Sequence, residues 1–428
     1  MNLIGNRFFY GKYVKSISLN TVIGFIFIIS LSIKLFNELK IICIYAESNL
    51  NLFGFSEFLI SFEGGFVRRG LLGQILFFLS KNLEINPFYT IIFICVIAYL
   101  IVVLFFWRKF KQKNYCWWIL LSSVFLGFTA AFIRKDYLLY CIFIYTIIIL
   151  KQKKTRLNYI FVIFLTLIGL FIHEAYVFWG IPIITLLLFK IYPQKWLPII
   201  SSIIFVGITA ILFLNNGNVI IAEQIRDSWN DIFGNQVLIQ TSSNSIGALG
   251  WDTKETIINH FKANFPLENF GYMIFLIRFW GYFIVYYVFT NSIFVILNDN
   301  RMIIVKSEQL ALSTLFIFAS LCLLPMFTFL SCDWSRLYQY ILIVSFSVFL
   351  LFPPYFILNC FPKKLIYYIR CLNISIQKIL VPTKPLLIIL LLTINISPVG
   401  FDMIDAFLRS PLGTIFYSIS LFLTNIIH

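Results

Sequence analysis

Charge is what this sequence has least of. Asp, Glu, Lys and Arg make up 12% of its 428 residues, and apolar residues make up 60%. A soluble domain carries roughly 25% charge and about 45–50% apolar residues. The chain therefore lacks the polar surface it would need in water, and a soluble globular fold is excluded. Histidine is scarce too, at three residues, and no CxxC or Cys/His spacing suggests a metal site. Eight cysteines are present. Cys95, Cys116, Cys141 and Cys322 lie in or beside apolar runs, where a free thiol packs as a small hydrophobe. Neither a metal nor another cofactor is expected. No internal repeat, low-complexity tract or soluble domain stands out. Residues 1–428 read as a single integral membrane domain.

What is present fits lipid. Fifty Phe and twenty-two Tyr suit lipid-facing and interfacial positions. The net charge is +15, which in a soluble protein would suggest nucleic acid. In so apolar a chain it reads instead as Lys and Arg held in cytoplasmic loops by the positive-inside rule, and no nucleic-acid partner is expected. The first apolar run, Leu19 to Ile33, has no small-residue cleavage site after it and reads as a retained first helix.

About 20 residues cross the roughly 30 Å of hydrocarbon. Runs of suitable character lie at 17–36, 88–107, 115–133, 137–150, 158–172, 175–190, 196–214, 270–295, 309–330, 337–357 and 385–399. The stretch 412–427 either spans or lies in the interface, and 69–80 is too short to cross. The expected fold is all-α, a polytopic transmembrane bundle of about eleven or twelve spans. The N-terminus, 108–113, 151–156, 190–195, 301–306 and 363–384 are basic and almost free of carboxylates, so they read as cytoplasmic. Alternation then puts 37–87, 134–136, 173–174, 215–269, 331–336 and 400–411 outside. Of these, 215–269 is the larger extracytoplasmic loop.

The unusual polar residues all fall on that outer side. The first group is Glu63-Gly64-Gly65-Phe66-Val67-Arg68-Arg69-Gly70-Leu71-Leu72-Gly73. Glycines around paired arginines allow close backbone approach to a ligand, and guanidinium forks match phosphate oxygens. The plainer reading is a solvated loop with headgroup-binding arginines. The second group, Arg134-Lys135-Asp136, precedes the run 137–150, which at 1.5 Å per residue is roughly 21 Å long. Either the bilayer thins there or the charged turn lies below the outer surface, where charges pair with each other or with a substrate. The third, His173-Glu174, sits on a similar tight hairpin. It reads either as a proton-transfer pair or as a helix cap. The fourth is Asp333-Trp334-Ser335-Arg336, whose Asp and Arg can simply pair or cap. Arg278 lies eight residues into the run that starts near Phe270, and an intramembrane Arg is a functional candidate by default. The candidate catalytic residues are His173, Glu174, Asp136, Asp333 and Glu63. The candidate diphosphate-binding residues are Arg68, Arg69, Arg134, Arg278 and Arg336. Together they describe a basic, outward-opening pocket suited to an amphiphile with a diphosphate head.

The motifs GGFVRRGLLG, RKD, HE and DWSR, with the multi-span plan, the sizeable outer loop and the richness in Ile, Phe, Asn and Lys, resemble the Wzy-type O-antigen and capsule polymerases of bacteria. As architecture the resemblance covers the whole chain; as motif it covers about twenty residues of a family that shares little sequence. It implies a protein of the bacterial cytoplasmic (inner) membrane that joins undecaprenyl-diphosphate-linked repeat units at the outer face, in lipopolysaccharide or capsule biosynthesis. Its partners would be the lipid-linked glycan, membrane lipid and a chain-length regulator protein. Arg68, Arg69, Arg134 and Arg336 would then hold diphosphate, with His173 or Glu174 as base. One alternative is a multi-span, polyprenyl-phosphate-dependent glycosyltransferase. Those enzymes tend to carry an acidic motif in the first outer loop, where Glu57 and Glu63 lie, although no DxD or paired acidic motif is there. Another is a flippase for the same lipid-linked unit, which would be expected to show two related halves and midplane charges.

Overall fold

The computed structural model describes residues 19–44, 48–122, 125–126, 133–152, 154–234, 238, 244–264, 280–281, 283–284, 286–290, 306–331, 334–379, 384–393, 407–408 and 410–427. Among them the fold is all-α, with no strand. The long α1 (Leu19–Ile44) is followed by a segment holding the short α2 (Phe53–Phe58) and α3 (Gly70–Leu83). Then come α4 (Pro87–Lys113), α5 (Asp136–Lys151), α6 (Arg156–Ile172), α7 (Tyr176–Ile191) and α8 (Trp196–Leu214). The 215–269 loop carries α9 (Val219–Phe233) and α10 (Thr253–Asn264). The C-terminal part holds α11 (Lys306–Cys322), α12 (Trp334–Leu351), α13 (Pro354–Leu358), α14 (Lys363–Ile379), α15 (Lys384–Thr393) and α16 (Pro411–Ile427).

Among the described residues, three helices are long and apolar enough to cross a membrane: Asn20–Asn37 within α1, α4 and α8. Shorter apolar helices include α6, α7 and parts of α11, α12 and α16. The helix starts follow local chemistry. The Asn86 side chain accepts the Phe88 N–H, with Pro87 at the first helical position of α4. Thr155 and Asn218 cap α6 and α9 in the same way.

The core lies where α5, α7 and α12 meet, with α4 and α6 against α5 and α11 against α12. Every residue from Leu337 to Leu351 of α12 is buried, so this helix is enclosed on all sides and not lipid-facing. Such a helix must be apolar all round, which is why no amphipathic stripe marks it in sequence.

Several expected spans end differently. Within 115–133 the described residues form a 3-10 turn at Trp117–Leu121, not an α-helix. This segment instead runs back along α4: Tyr99 donates to the Leu126 carbonyl, and the Cys95 thiol lies 3.8 Å from the Arg134 carbonyl. Ring contacts from Trp118 to Phe27 and from Phe125 to Phe106, Phe110 and Phe346 hold it there. The 337–357 run breaks before Pro353 and Pro354, and 309–330 turns π-helical after Pro325, because proline cannot donate to the helical ladder. The basic 363–384 stretch, expected as loop, contains α14. Of 270–295, only positions 280–281, 283–284 and 286–290 are described, and they are helical.

Candidate functional site

The site forms where four interhelical segments converge. Glu57 lies in the last turn of α2, whose position is fixed from the 215–269 loop: Ser245 N–H donates to Ser56 Oγ (2.8 Å), and Ser245 Oγ donates to the Phe53 carbonyl (2.7 Å). Trp229 of α9 donates to the Leu59 carbonyl at 2.7 Å. Arg68 and Arg69 occupy the turn before α3. Arg68 N–H reaches the Asn215 carbonyl (3.0 Å), and Arg69 adopts a left-handed backbone (φ 65°). That conformation is uncommon for a residue with a side chain and costs about 1 kcal/mol or more. Here its guanidinium is fully engaged by partners, which makes the strain tolerable. Lys135 and Asp136 start α5, and His173-Glu174 link α6 to α7.

Arg69 is the hub. Its Nε donates to both oxygens of Glu174, at 2.7 and 3.0 Å, and Nη2 makes a further short bond to Glu174 Oε1. Its Nη1 lies 3.5 Å from Glu57 Oε1. Arg68 Nη1 adds a 3.2 Å bond to Glu174. His173 Nε2 lies 3.0 Å from Glu57 Oε1, and His173 Nδ1 accepts the Ala175 N–H at 3.0 Å. A nitrogen that accepts a backbone N–H carries no proton of its own. The ring is therefore the neutral tautomer with its proton on Nε2, donated to Glu57. The buried Lys135 ammonium donates to the Arg69 and Ile172 carbonyls (3.2 and 3.4 Å) and sits over the Phe58 ring.

Beside this group, Arg336 grips Asp136 with a two-point fork, Nε and Nη2 each at 2.7 Å, and Tyr340 donates a short bond to Asp136 Oδ1. Trp179 stacks on Tyr340 with ring centroids 5.1 Å apart. Arg134 contributes positive field at Asp136, and Arg336 acts electrostatically on Arg69, so the two groups form one network.

The charges follow from this geometry. Burial would raise the Glu57 carboxyl, but the His173 hydrogen bond and the fields of Arg69 and Lys135 hold it well below the usual range. Burial is likewise outweighed at Glu174, chiefly by Arg69 and Arg68. Burial and Arg69 push His173 below its ordinary value, in agreement with the neutral tautomer. Burial pulls Lys135 down to about 8. Two ionised carboxylates therefore face Arg68, Arg69 and Lys135, which leaves the first group with an excess of positive charge.

Two polar atoms in this group are buried and have no partner among the described residues: Glu57 Oε2 and Arg68 Nε. Tyr140 Oη and Trp179 Nε1, in the aromatic cluster beside Tyr340, are alike. A buried polar group left unsatisfied costs about 1–3 kcal/mol, so these atoms favour a polar ligand. The turn bearing Arg134 meets Cys95, eight residues into α4, or roughly 12 Å from that helix's N-terminal end. The site is thus recessed below the end of α4.

Of the sequence candidates, Arg68, Arg69, Arg134, Asp136, His173, Glu174 and Arg336 come together. Glu63 does not: it is exposed and accepts a bond from Gln74 (2.8 Å). Arg278 and Asp333 lie outside the described residues. The glycines around the arginines serve packing more than ligand approach. A Cβ at Gly73 would collide with the Ile60 carbonyl, one at Gly70 with the Phe62 ring, and one at Gly64 with Ile221. Glu57, Lys135 and Tyr340 were not among the candidates. Glu57 had a signal, as a lone carboxylate in the apolar stretch 52–62. Tyr340 had none, being one tyrosine inside an apolar run. Among the described residues no group of three or more His, Cys, Asp or Glu side chains is placed to hold a metal ion. No family model, curated protein or solved structure matches the chain.

Proposed function

We propose that this protein polymerises undecaprenyl-diphosphate-linked oligosaccharide units at the outer face of the bacterial cytoplasmic membrane. The carrying observation is the convergence of four segments, all assigned to one side by loop charge, into a single buried network whose Arg68 keeps a donor uncommitted. Unrelated surface charges would have no reason to meet. In this reading α1, α4 and α8 cross the bilayer, and the shorter apolar helices complete a polytopic bundle around the site. The lipid tails of the substrates stay in the bilayer.

The arginines divide their work. Arg69 and Arg336 are committed to Glu174 and Asp136 and act as positioning residues. Arg68, half-buried and bound at one nitrogen only, is the diphosphate contact, with Arg134 on the neighbouring turn. A second reading is a multi-span, polyprenyl-phosphate-dependent glycosyltransferase that adds one sugar. It is favoured by Glu57, an acid of the first outer loop at the centre of the network.

Deletion of the gene in its host, followed by electrophoresis of the surface polysaccharide, tests both. Collapse of a ladder to a core bearing one unit supports the polymerase. Loss of the first unit supports the glycosyltransferase, and an unchanged ladder removes both.

A further inference from the structure

The sequence offers several carboxylates and one histidine as the base that activates an acceptor hydroxyl, and the geometry occupies all but one of those described. His173 has a backbone N–H on Nδ1 and gives its Nε2 proton to Glu57, so neither nitrogen is open. Both oxygens of Glu174 lie in the guanidinium fork of Arg69. Both oxygens of Asp136 are taken by Arg336, and one also by Tyr340. Glu63 is exposed and outside the network. Glu57 differs. Its Oε1 is held by His173 and Arg69, while Oε2 is buried and has no partner. One oxygen fixed and one open is what a carboxylate needs in order to take a proton in a defined direction.

We propose that Glu57 is the general base of the transfer and that His173 is its positioning residue; this rests on the lipid-linked glycan reading above. Glu57 Oε2 removes the proton from the acceptor sugar hydroxyl. The oxygen of that acceptor hydroxyl forms a bond to the anomeric carbon of the donor glycan. The bond from this carbon to the lipid diphosphate oxygen breaks, and its electron pair leaves on the lipid diphosphate, whose charge Arg68 meets. The proton on Glu57 then passes to the departing lipid diphosphate, a stronger base than this carboxylate, and leaves with it. Glu57 is 1% exposed, which keeps water from competing for the anomeric carbon. Its ionised state at neutral pH is secured by His173, Arg69 and Lys135.

The test uses the full chain in lipid nanodiscs, supplied with the lipid-linked glycan that accumulates in the deletion strain. Glu57→Gln is expected to lose transfer by about 10²–10⁴-fold while accumulating in the membrane at the normal level. His173→Ala removes a donor that lowers Glu57, so the acid limb of the kcat/KM profile moves to higher pH. His173→Gln, which can donate from its amide, is expected to move it back. Normal transfer by Glu57→Gln alongside loss in Arg68→Ala would overturn the assignment of Glu57 and leave the function standing. If no variant and not even the parent protein lengthens the glycan, the functional reading itself falls. Should Glu57→Gln fail to accumulate, the His173→Ala profile decides, and an unshifted acid limb overturns the proposal.

Discussion

At the scale of single residues, the site is an ionic lattice whose members are costly to bury and costlier to separate. Asp136→Asn or Arg336→Ala leaves one buried charge without its fork, and each is expected to cost about 3–5 kcal/mol of stability. The apolar pair Asp136→Leu with Arg336→Met should recover most of that loss without recovering transfer. Melting temperature and polymer yield, measured on the same preparations, separate the two effects. A double variant as unstable as the singles would mean that the pair is needed for folding itself. The outer-turn groups also set a pH dependence. His173 is held below 6.5, so as pH drops through that value the unfolded chain takes up a proton that the folded one refuses, and stability falls. Glu57 and Glu174 are held below 4.5, so a second loss begins there and continues to their lower folded values. Lys135 is lowered from 10.5 to about 8, so between those values the unfolded chain again binds more protons and stability rises with pH. All four groups give the same sign. Thermal scans should show a melting temperature that falls on acidification from pH 7, and one that rises toward pH 4 would contradict this network.

At the scale of elements, α3 docks through glycine. A Cβ at Gly73 would meet backbone carbonyls at both Ile60 and Phe58, and backbone cannot swing away as a side chain can. Gly73→Ala should therefore push α3 off the backbone at 58–60, displace Arg69 and abolish accumulation. Gly65 is the contrasting control. Its φ of 119° disfavours other residues, yet nothing lies within 4 Å of a Cβ there. Gly65→Ala should cost only about 1–3 kcal/mol of local strain and still reach the membrane. Immunoblots of membrane fractions distinguish these outcomes. Helix length matters as well. At 16 and 17 residues, α5, α6 and α7 are roughly 24–26 Å long, shorter than the roughly 30 Å of bilayer hydrocarbon. In the proposed polytopic reading, such short helices would bring the turns at 134–136 and 173–174 below the membrane surface without placing a charge in the middle of a span.

At the scale of the whole molecule, sidedness is the testable property. α14 presents Lys363, Lys364, Tyr367, Tyr368 and Cys371 outward, while Ile369 and Asn373 face the body, with Asn373 bonded to Ser313 and Tyr287. A basic, aromatic face of this kind suits the cytoplasmic interface. With the other cysteines replaced, an impermeant maleimide should label Cys371 only after the cells are opened; labelling of intact cells would reverse the topology. Sequence alone determined the solvent. So low a charge density cannot face water, and apolar run length and loop charge depend only on residues close together in the chain. The same local reasoning located the turns that carry Arg68, Arg69, Arg134, Asp136, His173, Glu174 and Arg336. It misjudged 115–133, because hydropathy measures burial and not the hydrogen-bond pattern that buries it. What only tertiary structure decided was partnership. Residues 106 and 200 positions apart, as in Arg68–Glu174 and Asp136–Arg336, meet through helix packing, which no local pattern encodes. Those pairings commit Glu174, His173 and Asp136 to structure and leave an oxygen open on Glu57, since a buried group with all its bonds made has none to offer a substrate.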